Sequence, residues 1–247
     1  MKIEDYLKSL PLEIISGEEV ELQVNSLRDI FRFAGLSDKD IFYHLGCGTG
    51  QGLEIAIKEF NVKNAVGIDT NKEKITHAKK RVDCDLFCED ITDSDISEAT
   101  VILFWFTNET IIEKMMKKFV SLKNCKIITI WSPLPECLPE KVQFPYIINQ
   151  TPFKKAKDLQ EQLLAIFGVK CVDFVTAWEF AERYTNAISG PESENDRFLT
   201  IIQSLVIWIN AKNLGVACGD EIPESIKTYI GILRNFFNIE IEHLLKK

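Results

Sequence analysis

The sequence predicts an α/β fold, a doubly wound parallel sheet followed by an all-helical C-terminal appendage. Five short apolar runs alternate with amphipathic helical segments between residues 41 and 131, as in the strand–helix–strand units of a parallel sheet. One run, TVILFWF at residues 100–106, is apolar at nearly every position, as expected of a central strand covered on both faces. Beyond residue 151 only helical periodicities follow. We therefore expect two domains, residues 1–150 and 151–247.

The first domain opens as a helix, a strand, a tight turn and a second helix. Ser16 and Glu19 fit a capping box, which predicts a helix over residues 16–34. A strand over residues 41–45 runs into a glycine-rich turn, and an amphipathic helix follows from about Leu53. Further strands are expected at residues 64–68, 84–88, 100–106 and 126–131.

The remaining helices are predicted from capping patterns and apolar periodicity. Thr70 and Glu73 fit another capping box, which opens a helix that runs to about Arg81. A helix over residues 109–122 follows the fourth strand, and one more strand is expected at residues 142–148. The C-terminal helices are expected at residues 153–167, 172–188, 195–214 and 224–237.

The composition is that of an ordinary globular protein with an acidic balance. The 247 residues are 46% hydrophobic, and 29 basic against 37 acidic side chains give a formal net charge of -8. This balance argues against a nucleic-acid surface as the main partner. The N-terminal residues lack a signal-peptide pattern, and no apolar run is long enough to span a bilayer. We expect a cytoplasmic protein without a membrane partner; the oligomeric state stays open.

The cysteines predict thiols rather than a metal site. Their number, seven, is odd, and several lie in apolar runs where a free thiol packs as a small hydrophobic group. Cys84 and Cys88 have a spacing that metal sites also use, but no second pair or nearby histidine completes such a site. The expectation is a reducing compartment and no bound metal.

The densest glycine cluster, FYHLGCGTGQG at residues 42–52, lies between the first strand and its helix. Glycines there let the backbone approach a ligand, and the N–H groups of the next helix favour negative charge. Dinucleotide sites require a small third residue in G-x-G-x-x-G/A, and Gln51 stands at that position. The spacing of Gly46, Gly48 and Gly50 is instead typical of S-adenosylmethionine sites. An NAD-dependent oxidoreductase is a minor alternative, since no Tyr–Lys or His–acid catalytic pair is evident.

Acidic residues follow the second and third predicted strands. Asp69 stands at the end of the second strand, where a carboxylate can accept hydrogen bonds from both ribose hydroxyls. Asp90 and Ile91 follow the third strand and can supply a polar partner and an apolar wall for adenine. Because ligands of doubly wound folds lie across the carboxyl ends of the strands, these residues predict a nucleoside site beside the glycines.

Four stretches carry a resemblance to a known family. HLGCGTGQG, AVGIDTN, CEDITD and SEATVILFWFTNE resemble the motifs of class I S-adenosylmethionine-dependent methyltransferases. NVKNAVGIDTNKEKI and DISEATVILFWFTNETIIEKM are more closely similar to archaeal broad-specificity protein-lysine methyltransferases. The resemblance covers roughly residues 16–131 and implies a Rossmann-like methyltransferase sheet that binds S-adenosyl-L-methionine. The cofactor contacts that it implies are Gly46, Gly48, Gly50, Asp69, Asp90 and Ile91, with a wall towards the acceptor at residues 104–108 that begins with Phe104.

His44 departs from the pattern of this family. The family carries an acid here that helps to hold the ammonium group of the methionine tail, so His44 is a candidate cofactor-binding residue with altered chemistry. A neutral imidazole can accept one hydrogen bond, whereas an imidazolium would repel the ammonium. We expect weaker or pH-dependent cofactor binding if the ring faces the cofactor, and no such effect if His44 is a satisfied histidine at a strand end.

The residues after the fourth and fifth strands bear on the methyl acceptor. Base-amine methyltransferases resemble one another in an Asn/Asp-Pro-Pro-aromatic turn after the fourth strand, whereas this chain has FTNE at residues 106–109. Cytosine-5 RNA enzymes use a cysteine in a Pro-Cys turn, and PEC at residues 135–137 has the wrong spacing. Together with the negative charge, these differences disfavour nucleic acid as the acceptor.

A protein lysine amine is therefore the predicted acceptor, with a small-molecule amine as the less favoured choice. Lysine must be deprotonated before it attacks, and an apolar aromatic channel favours the neutral amine. Asn108 is the candidate catalytic residue that orients the amine, and Glu109 is the next choice. A non-catalytic methyltransferase-like scaffold that works through its helical region is the alternative. The candidate channel residues are Phe104, Trp105, Phe106 and Trp131.

Overall fold

The chain divides into two compact units. The computed structural model describes residues 2, 21–106, 108–189, 196–219 and 221–245. The first unit is Glu21–Lys157, and the described part of the second consists of Lys2 and the residues from Asp158 onward. Ser16 and Glu19, the predicted capping box of the first helix, lie outside the described residues.

The first unit contains the predicted alternation of strands and helices. Its strands are β1 (Ile41–Leu45), β2 (Asn64–Asp69), β3 (Asp85–Cys88), β4 (Val101–Phe104), β5 (Lys126–Ile130), β6 (Cys137–Leu138), β7 (Lys141–Gln143), β8 (Tyr146–Gln150) and β9 (Lys154–Lys155). Its helices are α1 (Val24–Ala34), α2 (Gln51–Phe60), α3 (Lys72–Arg81) and α4 (Glu109–Phe119). Within the described residues, seven strands form one sheet in the order β3-β2-β1-β4-β5-β8-β7, and β6 pairs with β9.

The sheet changes its winding direction at β1. β2 and β4 both pair in parallel with β1, one on each side, whereas β8 runs antiparallel to β5. In doubly wound folds, ligands bind in the crevice outside the carboxyl ends of the strands at such a switch point. The predicted α/β fold with a mostly parallel sheet is confirmed, and the glycine turn after β1 lies at the switch point.

The burial of β4 explains why the sequence pointed to a central strand. All four residues of β4 are at most 2% exposed, and the strand lies between β1 and β5. Ile102 and Phe104 pack in one cluster with Met115 and Phe119 of α4, and the rings of Phe104 and Phe119 meet edge to face at 5.2 Å. Burial of each large apolar side chain stabilises the fold by about 1.5–3 kcal/mol.

Two element boundaries differ from the prediction for local reasons. The side chain of Asn71 accepts hydrogen bonds from two backbone N–H groups in the first turn of α3, so Asn71 rather than Thr70 caps that helix. β7 and β8 form an antiparallel hairpin where a single strand over residues 142–148 is predicted. Pro145 lies between them and cannot donate to a strand ladder.

The described residues of the second unit are mainly helical and enclose a core of their own. The helices are α5 (Leu159–Phe167), α6 (Phe174–Ser189), α7 (Asp196–Asn213) and α8 (Glu224–Phe237), before a 3₁₀ turn at Glu242–Leu244. Leu205, Trp208 and Ile226 are fully buried in this core. α5 begins later than predicted because Asp158 caps it, accepting a hydrogen bond from the Glu161 N–H. None of the described helices is long and apolar enough to cross a membrane.

A disulfide joins Cys171 to Cys218 within the helical unit. The prediction of free thiols is wrong for these two cysteines and holds for the other five. Two backbone hydrogen bonds bring the two segments together, from Val172 N–H to the Val216 carbonyl and from Cys218 N–H to the Val172 carbonyl. Since the cysteines are 47 residues apart, their approach depends on the tertiary packing of the helices.

Candidate functional site

The glycine turn connects β1 to α2 and is held by the end of β2. Gly46, Gly48 and Gly50 all have positive φ, at 75°, 55° and 81°, which side chains with a Cβ rarely adopt. The carbonyl oxygen of Ile68 accepts hydrogen bonds from the N–H groups of Gly46 and Cys47, at 2.8 and 3.0 Å. The glycines are therefore required by the backbone of the turn itself.

Each of the three glycines also lies against a neighbouring side chain. A Cβ on Gly46 would meet the Phe106 ring at 3.0 Å, and a Cβ on Gly48 would meet Glu21 Oε1 at 2.6 Å. A Cβ on Gly50 would meet the Ala78 Cβ at 3.0 Å, so this glycine allows α3 to pack closely. The open side of the turn is thus bordered by one aromatic ring and one carboxylate.

Asp69, at the end of β2, binds the glycine turn through a hydrogen bond. Its Oδ2 accepts a hydrogen bond from the Gly48 N–H at 2.8 Å, and its Oδ1 accepts one from the Asn71 N–H at 2.8 Å. Each carboxylate oxygen can accept a further hydrogen bond, so this half-buried side chain still has acceptor capacity for a hydroxyl group. The structure brings Asp69 to the glycines as predicted, and its contact with a ribose stays a prediction.

Glu21 contacts the turn from the segment before α1. Its Oε1 accepts a hydrogen bond from the Thr49 N–H at 2.7 Å, and its Oε2 accepts one from the Thr49 hydroxyl at 2.9 Å. Arg81 Nη1 donates to the same hydroxyl at 3.0 Å. An anion and a cation therefore meet at Thr49, in the middle of the turn.

His44 lies beneath the turn with its imidazole packed against Gly52. A Cβ on Gly52 would come within 2.8 Å of the His44 ring, so the ring needs a glycine in the first turn of α2. Nδ1 is buried and has no hydrogen-bond partner among the described residues. Burial lowers the pKa of His44 to about 4, although the charge of Asp69 acts in the opposite direction.

The imidazole is consequently neutral at neutral pH. The predicted repulsion between an imidazolium and an ammonium requires a pH below about 5. The expectation of a satisfied histidine is wrong for Nδ1, because that atom is buried without a partner in the described part of the chain. Direct contact between His44 and a cofactor stays a prediction.

The residues after β3 divide into an exposed acid and a buried apolar side chain. Asp90 Oδ1 accepts a hydrogen bond from the Thr92 N–H at 2.8 Å, and this bond lowers the pKa of Asp90. Ile91 is 4% exposed and packs in the same cluster as Phe104. Asp90 thus offers an ionised acceptor, whereas Ile91 lies in the core, and the contact of either residue with adenine stays a prediction.

The aromatic residues after β4 have different surroundings. Phe104 is 2% exposed, and its ring stacks on that of Phe106 at 5.0 Å. Phe106 is half-buried and covers Gly46. Trp105 and Trp131 are also half-buried. Phe106 therefore lies directly against the turn, whereas Phe104 supports it from the core.

The two predicted catalytic residues lie at the start of α4. Asn108 is the N-cap, and its Oδ1 accepts a hydrogen bond from the Ile111 N–H at 3.2 Å. Glu109 is exposed in the first turn, where a negative charge interacts favourably with the helix dipole. Both residues thus have a local role in the helix, and their catalytic role stays a prediction.

Three of the free thiols, at Cys84, Cys125 and Cys137, are poor candidates for nucleophiles. Burial raises the pKa values of Cys84 and Cys137 to about 11 and that of Cys125 to about 12. A cysteine nucleophile needs a lowered pKa. Among the described residues, no group of three or more His, Cys, Asp or Glu side chains could hold a metal ion.

Comparison with known proteins identifies this part of the chain. Residues 42–122 match a family model described as a methyltransferase domain. These residues form a methyltransferase domain. The chain is similar in fold to an RNA methyltransferase from Salinibacter ruber solved in complex with S-adenosyl-L-homocysteine. That similarity has a TM-score of 0.51 at 20% identity and covers 57% of this chain and 99% of that chain.

Two curated archaeal proteins are similar in sequence. Over 99 residues the chain is 36% identical to a protein-lysine N-methyltransferase of Saccharolobus islandicus. Over 98 residues it is 37% identical to an uncharacterized protein of Methanocaldococcus jannaschii. Each alignment covers 37% of this chain, but the chain spans only 60% and 44% of the lengths of these relatives. These alignments therefore concern only a part of this chain and a part of each relative.

Two residues at the turn were not predicted from the sequence. Glu21 lies 28 residues before its partner Thr49, and Arg81 lies 32 residues after it. Phe106 was predicted as part of the wall at residues 104–108 and of the aromatic channel, but its contact with Gly46 was not predicted. No motif in the sequence marks the contacts of Glu21 or Arg81.

Proposed function

We propose that this chain is an S-adenosylmethionine-dependent methyltransferase that transfers a methyl group to a lysine amine of a protein. The observation that carries the proposal is the turn of three positive-φ glycines fixed by Asp69 at the switch point of the sheet. A turn with this backbone can approach a nucleoside and an amino-acid tail closely.

The residues around the turn fit such a cofactor. Asp69 offers acceptor capacity for ribose hydroxyls, and Asp90 offers an ionised acceptor beside the apolar Ile91 for adenine. Arg81 supplies donors for a carboxylate, and Glu21 supplies an acceptor for an ammonium group. S-adenosylmethionine, when bound, supplies an electrophilic methyl group on its sulfonium.

The proposed binding of the methyl acceptor depends on the residues that follow β4. Phe106 and Trp105 are half-buried and would exclude water from the amine, which favours its neutral form. The amide of Asn108 would orient the amine, and the exposed carboxylate of Glu109 would attract the lysine while it is still cationic. The 36% identity to a protein-lysine N-methyltransferase supports lysine as the acceptor.

Transfer of a labelled methyl group tests this proposal. The full chain is incubated with S-adenosyl-[methyl-³H]methionine and a mixture of unfolded proteins, and the products are hydrolysed to amino acids. We expect label in methyl-lysine, and no label when the substrate lysines have been blocked beforehand by acetylation. Label in RNA or in a small amine supplied in parallel, with none in protein, would contradict a lysine acceptor.

One observation favours the non-catalytic scaffold as a second candidate. The side chains of Phe106 and Glu21 lie against the glycines from the open side of the turn, so the chain contacts this surface itself. A scaffold whose turn is filled by its own side chains would bind neither S-adenosylmethionine nor S-adenosylhomocysteine in a calorimetric titration. Binding of either ligand at micromolar concentration would reject it.

A further inference from the structure

Glu21 is an exposed carboxylate that the glycine turn holds in one orientation. Both of its oxygens accept hydrogen bonds from Thr49, one from the backbone and one from the hydroxyl group. Its Oε1 also lies 2.6 Å from the point where a Cβ of Gly48 would be. A carboxylate fixed by two donors loses little further freedom when it binds a cation.

The amino-acid tail of the proposed cofactor carries an ammonium group that needs such a partner. Strand β1 ends without an acid, because His44 occupies that position with a ring packed under Gly52. Asp69 is half-buried and joins Gly48 to Asn71. Glu21 is the exposed carboxylate at the turn, and its oxygens retain lone pairs for a further donor.

The charges on the two sides of Thr49 match a zwitterionic tail. Glu21 accepts from the Thr49 hydroxyl, and Arg81 donates to it. We propose that Glu21 binds the ammonium group of the methionine tail and replaces the acid that is absent at His44, while Arg81 faces the carboxylate of the tail. This inference rests on the proposed function, because it assigns residues to the tail of its cofactor.

Two ligands that differ only in the amino-acid tail test the assignment. S-adenosylhomocysteine carries the ammonium group, whereas 5′-methylthioadenosine lacks it along with the rest of the tail. Calorimetric titration compares the full chain with Glu21→Gln, which keeps the shape and one acceptor. We expect Glu21→Gln to weaken S-adenosylhomocysteine binding about tenfold, the loss of one charge-assisted hydrogen bond, and to leave 5′-methylthioadenosine binding unchanged.

A matched control is Glu98→Gln, an exposed glutamate before the amino end of β4, at the opposite edge of the sheet. It should leave both affinities unchanged. Equal weakening of both ligands by Glu21→Gln would mean that Glu21 only holds the turn, and tighter S-adenosylhomocysteine binding would mean that it blocks the tail; either result overturns the inference. If the unsubstituted chain binds neither ligand, the cofactor assignment itself fails and takes this inference with it.

Discussion

The two units of the molecule use their polar side chains differently. Around the glycine turn, hydrogen bonds join residues that are far apart in sequence, 21 residues for Asp69 and Gly48 and 28 for Glu21 and Thr49. In the helical unit, Ser204 bonds a carbonyl four residues away and Asp173 an N–H three residues away, and the long-range bond from Asn213 Nδ2 to the Leu244 carbonyl involves no charged group. Long-range contacts of charged side chains with a backbone turn therefore define the candidate site.

This difference places the candidate site in the first unit. The helical unit has a core of large apolar residues, including the fully buried Trp208. In the first unit, by contrast, charged groups converge on a backbone turn. Changes in the helical unit should accordingly affect stability more than cofactor affinity, and changes at the turn should do the reverse.

Removal of the disulfide would have the largest expected effect on stability. The double variant Cys171→Ser with Cys218→Ser should lower the free energy of unfolding of the helical unit by about 4 kcal/mol, from the loop-closure entropy of a 47-residue separation. Urea denaturation followed by tryptophan fluorescence measures the loss. Cys88→Ser, at an exposed free thiol, is the control for changing a cysteine.

The same disulfide variant also tests whether the two units have separate roles in stability and cofactor binding. Its affinity for S-adenosylhomocysteine, measured under conditions where it remains folded, should equal that of the unsubstituted chain. A large loss of affinity would show that the helical unit contributes to the cofactor site, and the separation of roles would then be wrong.

Acidification should destabilise the first unit through His44. Its pKa is about 4 in the folded chain against about 6.5 when unfolded, so the unfolded chain binds more protons between these values. The contribution of the neutral ring to the free energy of unfolding is fully present above about pH 6.5. It falls by up to about 3 kcal/mol as the pH drops towards 4. Urea unfolding at pH 7.5, 6 and 5 measures this.

His44→Gln is the matched variant for the pH experiment, since glutamine does not titrate. Its stability should depend less on pH over this window. The carboxyl groups with lowered pKa, such as Asp90 and Asp173, stabilise the fold throughout this window and lose that contribution only at lower pH, where they become protonated. An unchanged pH profile in His44→Gln would show that His44 is not buried as a neutral ring.

Two substitutions of Asn108 distinguish its role as a helix cap from a role in catalysis, and their expected effect on stability is the smallest. Asn108→Ala should cost about 1 kcal/mol, because the Ile111 N–H loses its cap. Asn108→Asp keeps a capping oxygen and should preserve stability, but it replaces the amide proposed to orient the amine. A methyl-transfer rate that falls in both variants would support a catalytic role. A rate that follows stability alone would restrict Asn108 to capping.

The fold could be predicted because its signals are local. The apolar run predicts the buried strand β4, and the closely spaced glycines predict the tight turn after β1. Both patterns lie within a few consecutive residues. The cap of α3 was misplaced by one residue, since Thr70 and Asn71 both suit a cap and only the backbone conformation chooses between them. The disulfide was missed for the opposite reason, because only the packing of distant helices brings Cys171 to Cys218.

The candidate site was predictable in part. Asp69 was found because strand ends in a parallel sheet have a fixed place relative to one another. The contact of Glu21 with Thr49 depends on how the segment before α1 returns to the turn, which no spacing encodes. The burial of His44 depends on the room that Gly52 leaves beside the ring, a feature that appears only once β1 and α2 are packed.

Calorimetric titration of S-adenosylhomocysteine into the unsubstituted chain and into Asp69→Asn shows whether the glycine turn and Asp69 form a cofactor site. Asparagine keeps one acceptor oxygen but places an N–H₂ group opposite a backbone N–H. We expect micromolar binding to the unsubstituted chain and binding weaker by about tenfold to a hundredfold in the variant, since hydrogen bonds to charged groups contribute about 1.5–3 kcal/mol. No binding to the unsubstituted chain, or equal binding to both, would contradict a cofactor site built on the glycine turn and Asp69.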